Sequence, residues 1–200
     1  MARKGENFEF NLDNTIKSTA KNAGYLEFEY VREKLNDINL IVFFDVGGSM
    51  DPFVKMCEEL FSAAKSEFKN LEYYYFHNCI YESVWKDNFR RNENRIPTQS
   101  ILNKFSPNHK ILIIGDASMA PYELTNAGGS IEHWNKESGE DWLKKIHSYF
   151  HKTVWLNPVH EDHWEYTSTI KMINALMDEK MYPLTISGIS GAVNHLSKRH

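Results

Sequence analysis

Two acidic residues end apolar runs of this chain, and each opens a turn that also contains serine. Asp45 ends the run "LIVFFD" and Ser49 follows four residues later, whereas Asp116 ends the run "ILIIGD" and Ser118 follows it. Carboxylates and hydroxyls are the oxygen ligands that Mg²⁺, Mn²⁺ and Ca²⁺ prefer. If the two turns meet, the sequence predicts one shared, oxygen-lined metal site.

The first turn, "FFDVGGSMD", also invites three catalytic interpretations, and each fails at a residue that its chemistry needs. A phosphate-binding loop requires a lysine after its glycines, and no lysine follows Gly47 and Gly48. A nucleophile elbow requires glycine two residues after the serine, where Asp51 stands. An aspartyl-phosphate enzyme of the haloacid dehalogenase type has a second acid two residues after its nucleophile, where Gly47 stands. A metal-free alternative stays open, in which Ser49 caps a helix and Asp45 accepts backbone N–H groups.

The elements that must position these acids alternate between strands and helices along the chain. Uninterrupted apolar runs predict buried parallel strands, and the 3.6-residue apolar period predicts helices. The predicted strands are 25–34, 39–45, 71–77, 80–85, 110–116, 152–158 and 181–188, and the predicted helices lie within 11–24, 51–68, 97–105, 138–150, 165–180 and 189–198. This order predicts a three-layer α/β/α sandwich with a mainly parallel central sheet.

One predicted strand should run against the others. Residues 80–85 follow the strand 71–77 after only two residues, and so short a link favours an antiparallel edge strand. In a parallel sheet, ligands bind beyond the carboxyl ends of the strands. Asp45 and Asp116 should therefore meet at one edge.

Composition narrows the possible partners and compartments. Lys and Arg number 23 against 27 Asp and Glu, a net charge of −4 that gives no electrostatic footprint for nucleic acid. No run of about 18 apolar residues predicts a membrane span, and no apolar segment predicts a signal peptide. Cys57 and Cys79 are too few for a secreted disulfide scaffold, so we expect a cytoplasmic protein.

The acids and their turns resemble the metal-ion-dependent adhesion site of von Willebrand factor A domains. That motif is D-x-S-x-S after the first buried strand, a threonine in a second loop, and an aspartate after a later strand. Asp45 and Ser49 match the first part, Thr98 in "IPTQSIL" the second, and Asp116 in "GDASM" the third. Gly47 stands where the motif has its first serine.

The resemblance is closest to the bacterial CoxE-like branch, through "DVGGSMD", "CEELFSAAKSEF", "EYYYFHNC", "VWKDN", "GDASMAPYEL" and "GGSIEHWN". It implies a Rossmann-like domain over 38–200, preceded by an N-terminal extension over 1–37 that packs on it. Members of this branch are typically longer, so the chain should correspond to their C-terminal domain.

The resemblance also implies a function. Asp45, Ser49, Thr98 and Asp116 would hold Mg²⁺, or Mn²⁺ or Ca²⁺, with Gly47 and Gly48 as site-loop backbone. Because Gly47 offers no hydroxyl, we expect weak binding, mostly through water, or no ion in the isolated domain. A partner protein would complete the coordination with an Asp or Glu. CoxE-like proteins often act beside MoxR-type AAA+ ATPases in remodelling or maturing client complexes.

The partner would contact residues near the second turn, and we expect Ser118, Tyr122, Glu123 and Trp134 in this role. Large aromatic side chains on such loops can anchor an interface. Trp134 can equally pin its loop to the body of the domain, and both interpretations stay open. On either interpretation we expect an interaction module without catalytic residues.

Three other chemistries are weaker alternatives. A metal-dependent hydrolase could use the same acids, with His77 or His133 approaching in space as a base. The stretch "HEDHW" could offer His160 and His163 to zinc, although no third ligand lies nearby in the sequence. Cys79 in "FHNC" is expected to be a buried thiol, because no base can be assigned to activate it.

Overall fold

The computed structural model describes residues 8–10, 15, 30–32, 36–90 and 92–197. Thr15 is buried, and it is the one described residue of the helix predicted within 11–24, which otherwise lies outside the described residues. Of the strand predicted at 25–34, Tyr30–Arg32 is described and is a strand, which pairs antiparallel with Phe8–Phe10.

The strands of the described residues are listed here in chain order. They are β1 (Phe8–Phe10), β2 (Tyr30–Arg32), β3 (Asn36–Asp45), β4 (Phe68–Phe76), β5 (Ser83–Val84), β6 (Ile96–Pro97), β7 (Lys110–Ile114), β8 (Lys152–Asn157) and β9 (Met181–Pro183). A five-stranded sheet has the order β4-β3-β7-β8-β9, and all its neighbours are parallel. The predicted parallel core is confirmed.

Helices connect these strands and cover the sheet. They are α1 (Val54–Glu67), α2 (Thr98–Lys104), α3 (Pro121–Thr125), α4 (Gly139–Tyr149), α5 (Ser168–Leu176) and α6 (Ile186–Ser197), with 3-10 helices over Gly48–Phe53 and Glu161–Tyr166. The start of α4 is encoded locally, because the Ser138 side chain accepts from the Asp141 N–H in a capping box.

Two hydrophobic clusters lie on opposite faces of the sheet, because successive side chains of a strand alternate between faces. Ile41 and Phe43 of β3 belong to the cluster under α2, α4 and α5. Leu40, Val42 and Phe44 belong to the cluster under α1 and α6. The chain therefore forms an α/β sandwich with helices on both faces of a mainly parallel sheet, as predicted.

The predicted antiparallel edge strand at 80–85 is much shorter than expected. Only β5 is a strand there, and it pairs with β6 in a separate two-stranded sheet. Trp85 alone bridges the edge strand β4, through antiparallel hydrogen bonds of 2.7 and 3.1 Å with Tyr75. The reason is a tight turn at His77–Cys79, with Asn78 at a φ of 56°, which directs the chain away from β4.

In the described part of the chain, no helix is both long enough and apolar enough to cross a bilayer.

Candidate functional site

Asp45 and Asp116 lie at the same edge of the central sheet. β3 and β7 are adjacent and parallel, with Phe44 opposite Ile114, so their carboxyl ends coincide. The side chains are close enough for the charge of Asp116 to raise the pKa of Asp45. Asp45 is 5% exposed and Asp116 is 3% exposed. The prediction that both acids reach one edge is confirmed.

The two carboxylate oxygens of Asp45 have different surroundings. Its Oδ1 accepts hydrogen bonds from the backbone N–H of Gly47 at 2.8 Å and of Asn78 at 2.9 Å. Its Oδ2 is buried and has no hydrogen-bond partner among the residues that the structure describes. Burial raises the pKa of Asp45 to about 7, against the lowering effect of the Gly47 hydrogen bond. A buried carboxylate with a spare oxygen requires either a proton or a cation.

Asp116 is held by both serines that the sequence singled out. Its Oδ1 accepts from the Ser118 N–H at 3.0 Å, and the Ser49 side chain also hydrogen-bonds its carboxylate. Burial nevertheless raises its pKa. Ser49 caps no helix: the 3-10 helix after β3 has Gly47 at its N-cap and no side-chain cap bond. Ser49 thus links the two acidic turns, while Asp45 accepts backbone N–H groups as the metal-free alternative proposed.

Thr98 begins α2 and is fully buried, but its hydrogen bonds lead away from the acids. Its hydroxyl donates to the Tyr81 carbonyl at 2.5 Å, and its N–H donates to the Glu82 carbonyl at 2.8 Å. No hydrogen bond joins it to Asp45 or Asp116 among the described residues. The structure therefore shows Thr98 fixing the start of α2, and a role as ligand stays a prediction.

Sequence reasoning overlooked Asn78, which lies between Asp45 and a third acid. Its backbone N–H donates to Asp45, and its Nδ2 donates to Glu123 Oε2 at 2.8 Å. Its φ of 56° is left-handed, a conformation that asparagine tolerates better than most residues. An Asn in a short link between two predicted strands was the available signal.

Glu123 was predicted as a partner-binding residue, but the structure places it inside. It is 6% exposed, its Oε1 accepts from the Ala120 N–H at 3.1 Å, and its Oε2 accepts from Asn78. The Tyr81 hydroxyl also donates to its carbonyl at 2.8 Å. Both carboxylate oxygens are therefore engaged within the fold, and a partner would have to displace these bonds to reach them.

Gly47 and Gly48 of the first turn differ in the space that is available for a side chain. Gly47 has a φ of −60° and a ψ of 154°, which any residue can adopt. A Cβ there would collide with Asn78 Oδ1 and lie 3.2 Å from Asp45 Oδ1, so space demands glycine. A Cβ on Gly48 would meet nothing within 4 Å.

Exposed apolar side chains stand on and after α3, which follows Asp116 closely in the chain. Tyr122 is 53% exposed, Ile131 63% and Trp134 78%. The Trp134 ring lies so close to Gly128 that a Cβ on that glycine would collide with it. Ser118 is exposed as well. Three of the four predicted partner-binding residues are thus accessible.

Asn135 fixes the loop that presents Trp134. Its side chain is fully buried, and its Oδ1 accepts from the Ser130 N–H at 2.8 Å. Its Nδ2 donates to the carbonyls of Asn126 at 3.2 Å and Glu137 at 2.8 Å. Since Asn135 does the pinning, Trp134 is free to present most of its surface outward.

The histidines proposed for a hydrolase interact elsewhere. His77 lies 3.5 Å from Glu132, and His133 lies 3.7 Å from Glu82. Burial lowers the pKa of His133, which also packs edge-on against Tyr81. In the described residues, neither histidine hydrogen-bonds Asp45 or Asp116.

The zinc and thiol alternatives gain nothing from the geometry. His160 and His163 are exposed, with ring centroids 6.3 Å apart. Across the residues that the structure describes, no three His, Cys, Asp or Glu side chains are grouped to hold a metal. Cys79 is buried, and burial raises its thiol pKa further.

The chemistry of the groups around Asp45 and Asp116 indicates which kind of cation would fit there. Neither Asp45 nor Asp116 has a Lys or Arg ion-pair partner in the described part of the chain. Besides the two carboxylates, the oxygens nearby are the Ser49 hydroxyl, which bonds Asp116, and the Asn78 amide, which lies beside Gly47. This all-oxygen set fits a hard divalent cation better than zinc, which favours nitrogen and sulfur.

Comparison with known proteins gave no relative. A scan against protein-family models, a search of curated proteins and a search of solved structures each found no match.

Proposed function

We propose that this chain is a protein-interaction module of the von Willebrand factor A type, with a cation-dependent binding site at Asp45, Ser49 and Asp116. The observation that carries the proposal is the state of Asp45. One of its oxygens is buried without a hydrogen-bond partner in the described part of the chain, and the charge of a second carboxylate, Asp116, acts on it at the same sheet edge. The bound cation would be Mg²⁺, or Mn²⁺ or Ca²⁺.

Electrostatics supports a cation at this place. Burial raises the pKa of both carboxylates, and the charge of Asp116 raises that of Asp45 further. A divalent cation offsets both effects, because it supplies the opposite charge that no Lys or Arg of the described residues provides. Mg²⁺ retains several waters where a protein offers few ligands. One of those waters would give way to a carboxylate from the partner.

The partner surface would include the exposed aromatic side chains beyond α3. Trp134 and Tyr122 are presented outward, and large aromatic residues commonly anchor interfaces. The resemblance to CoxE-like proteins suggests a MoxR-type AAA+ ATPase as one partner, acting with this chain on a client complex. Both cysteines are free thiols, which suits the cytoplasm in which such ATPases act.

Calorimetry with Mg²⁺, Mn²⁺, Ca²⁺ and Zn²⁺ tests the site directly. The wild-type chain should bind the first three weakly, and Asp116→Asn should weaken that binding about tenfold or more. Asp51→Asn is the matched control, because Asp51 is an exposed acid in the adjacent 3-10 helix. Preferential tight binding of zinc would contradict the oxygen site.

Affinity capture tests the module. The wild-type chain should retain a MoxR-type ATPase or a client protein in Mg²⁺ and release it in chelator, whereas Asp116→Asn should retain neither. Equal capture by both variants in chelator would place the interaction elsewhere.

The hydrolase alternative makes a different prediction. It requires turnover of generic phosphoester substrates that disappears in Asp45→Ala. His77 and His133 lie beside Glu132 and Glu82, and in the described residues neither histidine hydrogen-bonds Asp45 or Asp116, which favours the module.

A further inference from the structure

The side chain of Asn78 is held in one orientation. Its Nδ2 donates to Glu123 Oε2 at 2.8 Å, and Glu123 is itself fixed by the Ala120 N–H on its other oxygen. A carboxylate accepts hydrogen bonds and cannot donate them, so the amide nitrogen must face Glu123. The amide oxygen must then face the opposite way, towards Gly47.

The oxygen of this amide shares a small space with the Asp45 carboxylate. An ideal Cβ on Gly47 would touch Asn78 Oδ1 and would stand 3.2 Å from Asp45 Oδ1. In the described part of the chain, no N–H or O–H donates to Asn78 Oδ1. Asp45 Oδ1 already accepts from the backbone N–H groups of Gly47 and Asn78, whereas the amide oxygen beside it keeps its lone pairs available to a cation.

The backbone of Asn78 also interacts with Asp45. Its N–H donates to Asp45 Oδ1 at 2.9 Å, and its φ of 56° is the left-handed conformation. Backbone conformations of this kind cost free energy and persist where the surroundings fix them, often at functional sites. The fold therefore fixes both the main chain and the amide of this residue at the site.

We propose that Asn78 is a ligand of the site, giving an uncharged oxygen donor to a hard divalent cation. Glu123 is its positioning residue, which keeps the amide oxygen turned to the site. This inference rests on the cation site proposed above and adds two residues to it. It also explains Gly47: the space that a side chain would need there is filled by the amide, so the oxygen missing at position 47 comes from position 78.

The test is calorimetric titration of Mg²⁺ and Mn²⁺ into the wild-type chain, Asn78→Gly, and the double variant Gly47→Ser/Asn78→Gly. Asn78→Gly keeps the backbone N–H on Asp45 and suits the left-handed φ, so it should fold. It should weaken cation binding about 10- to 100-fold. The double variant should regain much of that loss, because the serine hydroxyl enters the vacated space. Thermal melts of all variants establish that they are folded.

Glu123 is tested by Glu123→Gln alone and combined with Asn78→Gly. If Glu123 acts through Asn78, Glu123→Gln alone should weaken cation binding. It should cause no further loss in a chain that already carries Asn78→Gly. Wild-type affinity in Asn78→Gly would overturn the inference and leave the proposed function standing. Wild-type affinity in Glu123→Gln would overturn the positioning role. No binding by the wild-type chain at millimolar Mg²⁺ would overturn both the inference and the site on which it rests.

Discussion

The backbone of Gly115 lies directly against the side chain of Asp45. A Cβ on Gly115 would stand 2.9 Å from the Asp45 Cβ and 3.2 Å from its unpaired Oδ2. The carbonyl of Gly115 accepts a hydrogen bond of 2.7 Å from the buried indole of Trp155. The residue that precedes Asp116 is thus closely packed on the residue that ends the neighbouring strand.

Gly115→Ala should therefore destabilise the domain. Because the Trp155 bond fixes the main chain, the new methyl group must displace Asp45, and such overpacking costs about 1–3 kcal/mol. Urea denaturation followed by circular dichroism measures the free energy of unfolding. Gly48→Ala is the control, since a Cβ there meets open space, and it should stay within about 0.5 kcal/mol of wild type. Equal stability of the two variants would contradict the close packing at Gly115.

The raised pKa of Asp45 should make stability fall as pH rises from about 4 to about 7. The unfolded chain loses the Asp45 proton near its ordinary pKa of 3.8, whereas the folded chain keeps it to about 7. Over that window the unfolded state binds fewer protons, so higher pH favours unfolding. Each pKa unit corresponds to about 1.4 kcal/mol, and a loss of a few kcal/mol is expected.

The contribution of Asp45 is isolated by its amide variant. The difference in free energy of unfolding between wild type and Asp45→Asn should change across this window, because the amide does not titrate. Saturating Mg²⁺ should remove most of the change if the proposed cation binds. A difference that stays constant from pH 4 to pH 8 would show that folding does not raise the pKa of Asp45.

Substitutions of two neighbouring residues of β3 should distinguish an effect on cation binding from an effect on stability. Asp45→Ala should abolish Mg²⁺ binding in a chain that remains folded, although losing the turn hydrogen bonds costs about 1 kcal/mol each. Phe44→Ala should cost about 3–5 kcal/mol, because Phe44 packs on Phe61 and Tyr75 with ring centroids 5.3 and 6.0 Å apart. Thermal melts and calorimetry on both variants check this. Unfolding of Asp45→Ala would make Asp45 a structural turn residue.

Trp134→Ala should weaken capture of the partner without changing the melting temperature. The side chain is 78% exposed, and Asn135 holds the loop independently of it. Val193→Ala is the control, because Val193 is an exposed apolar residue on α6. A clear loss of thermal stability in Trp134→Ala would mean that the indole pins the loop after all.

Apolar patterning predicted the sheet well because burial on both faces leaves a strong signal. The uninterrupted runs of β3, β7 and β8 became central strands with nearly the predicted bounds. The strand predicted over 181–188 ends at Pro183, and the last helix begins at Ile186. The larger failure came at 80–85, where pattern and short spacing favoured an edge strand. A single left-handed residue, Asn78, redirects the chain there, and periodicity carries no information about such a turn.

The site was predictable only where its residues follow strands. Asp45 and Asp116 meet because parallel strands bring their carboxyl ends together, which the sequence indicates. The bond between Asn78 and Glu123 joins residues 45 positions apart in a loop and a helix, and neither position shows a pattern. Thr98 was chosen by resemblance, and its hydroxyl turned out to bond the backbone of residue 81.

The close approach of Gly47 and Asn78 also constrains the order in which substitutions at these two positions can accumulate during evolution. A larger residue at position 47 meets the amide of Asn78, so it is tolerated only in a chain whose position 78 has already become small. Substitution in the reverse order passes through a disrupted intermediate. Lineages that carry a side chain at position 47 should therefore descend from ancestors that lost the amide first, and the two positions should vary together among related chains.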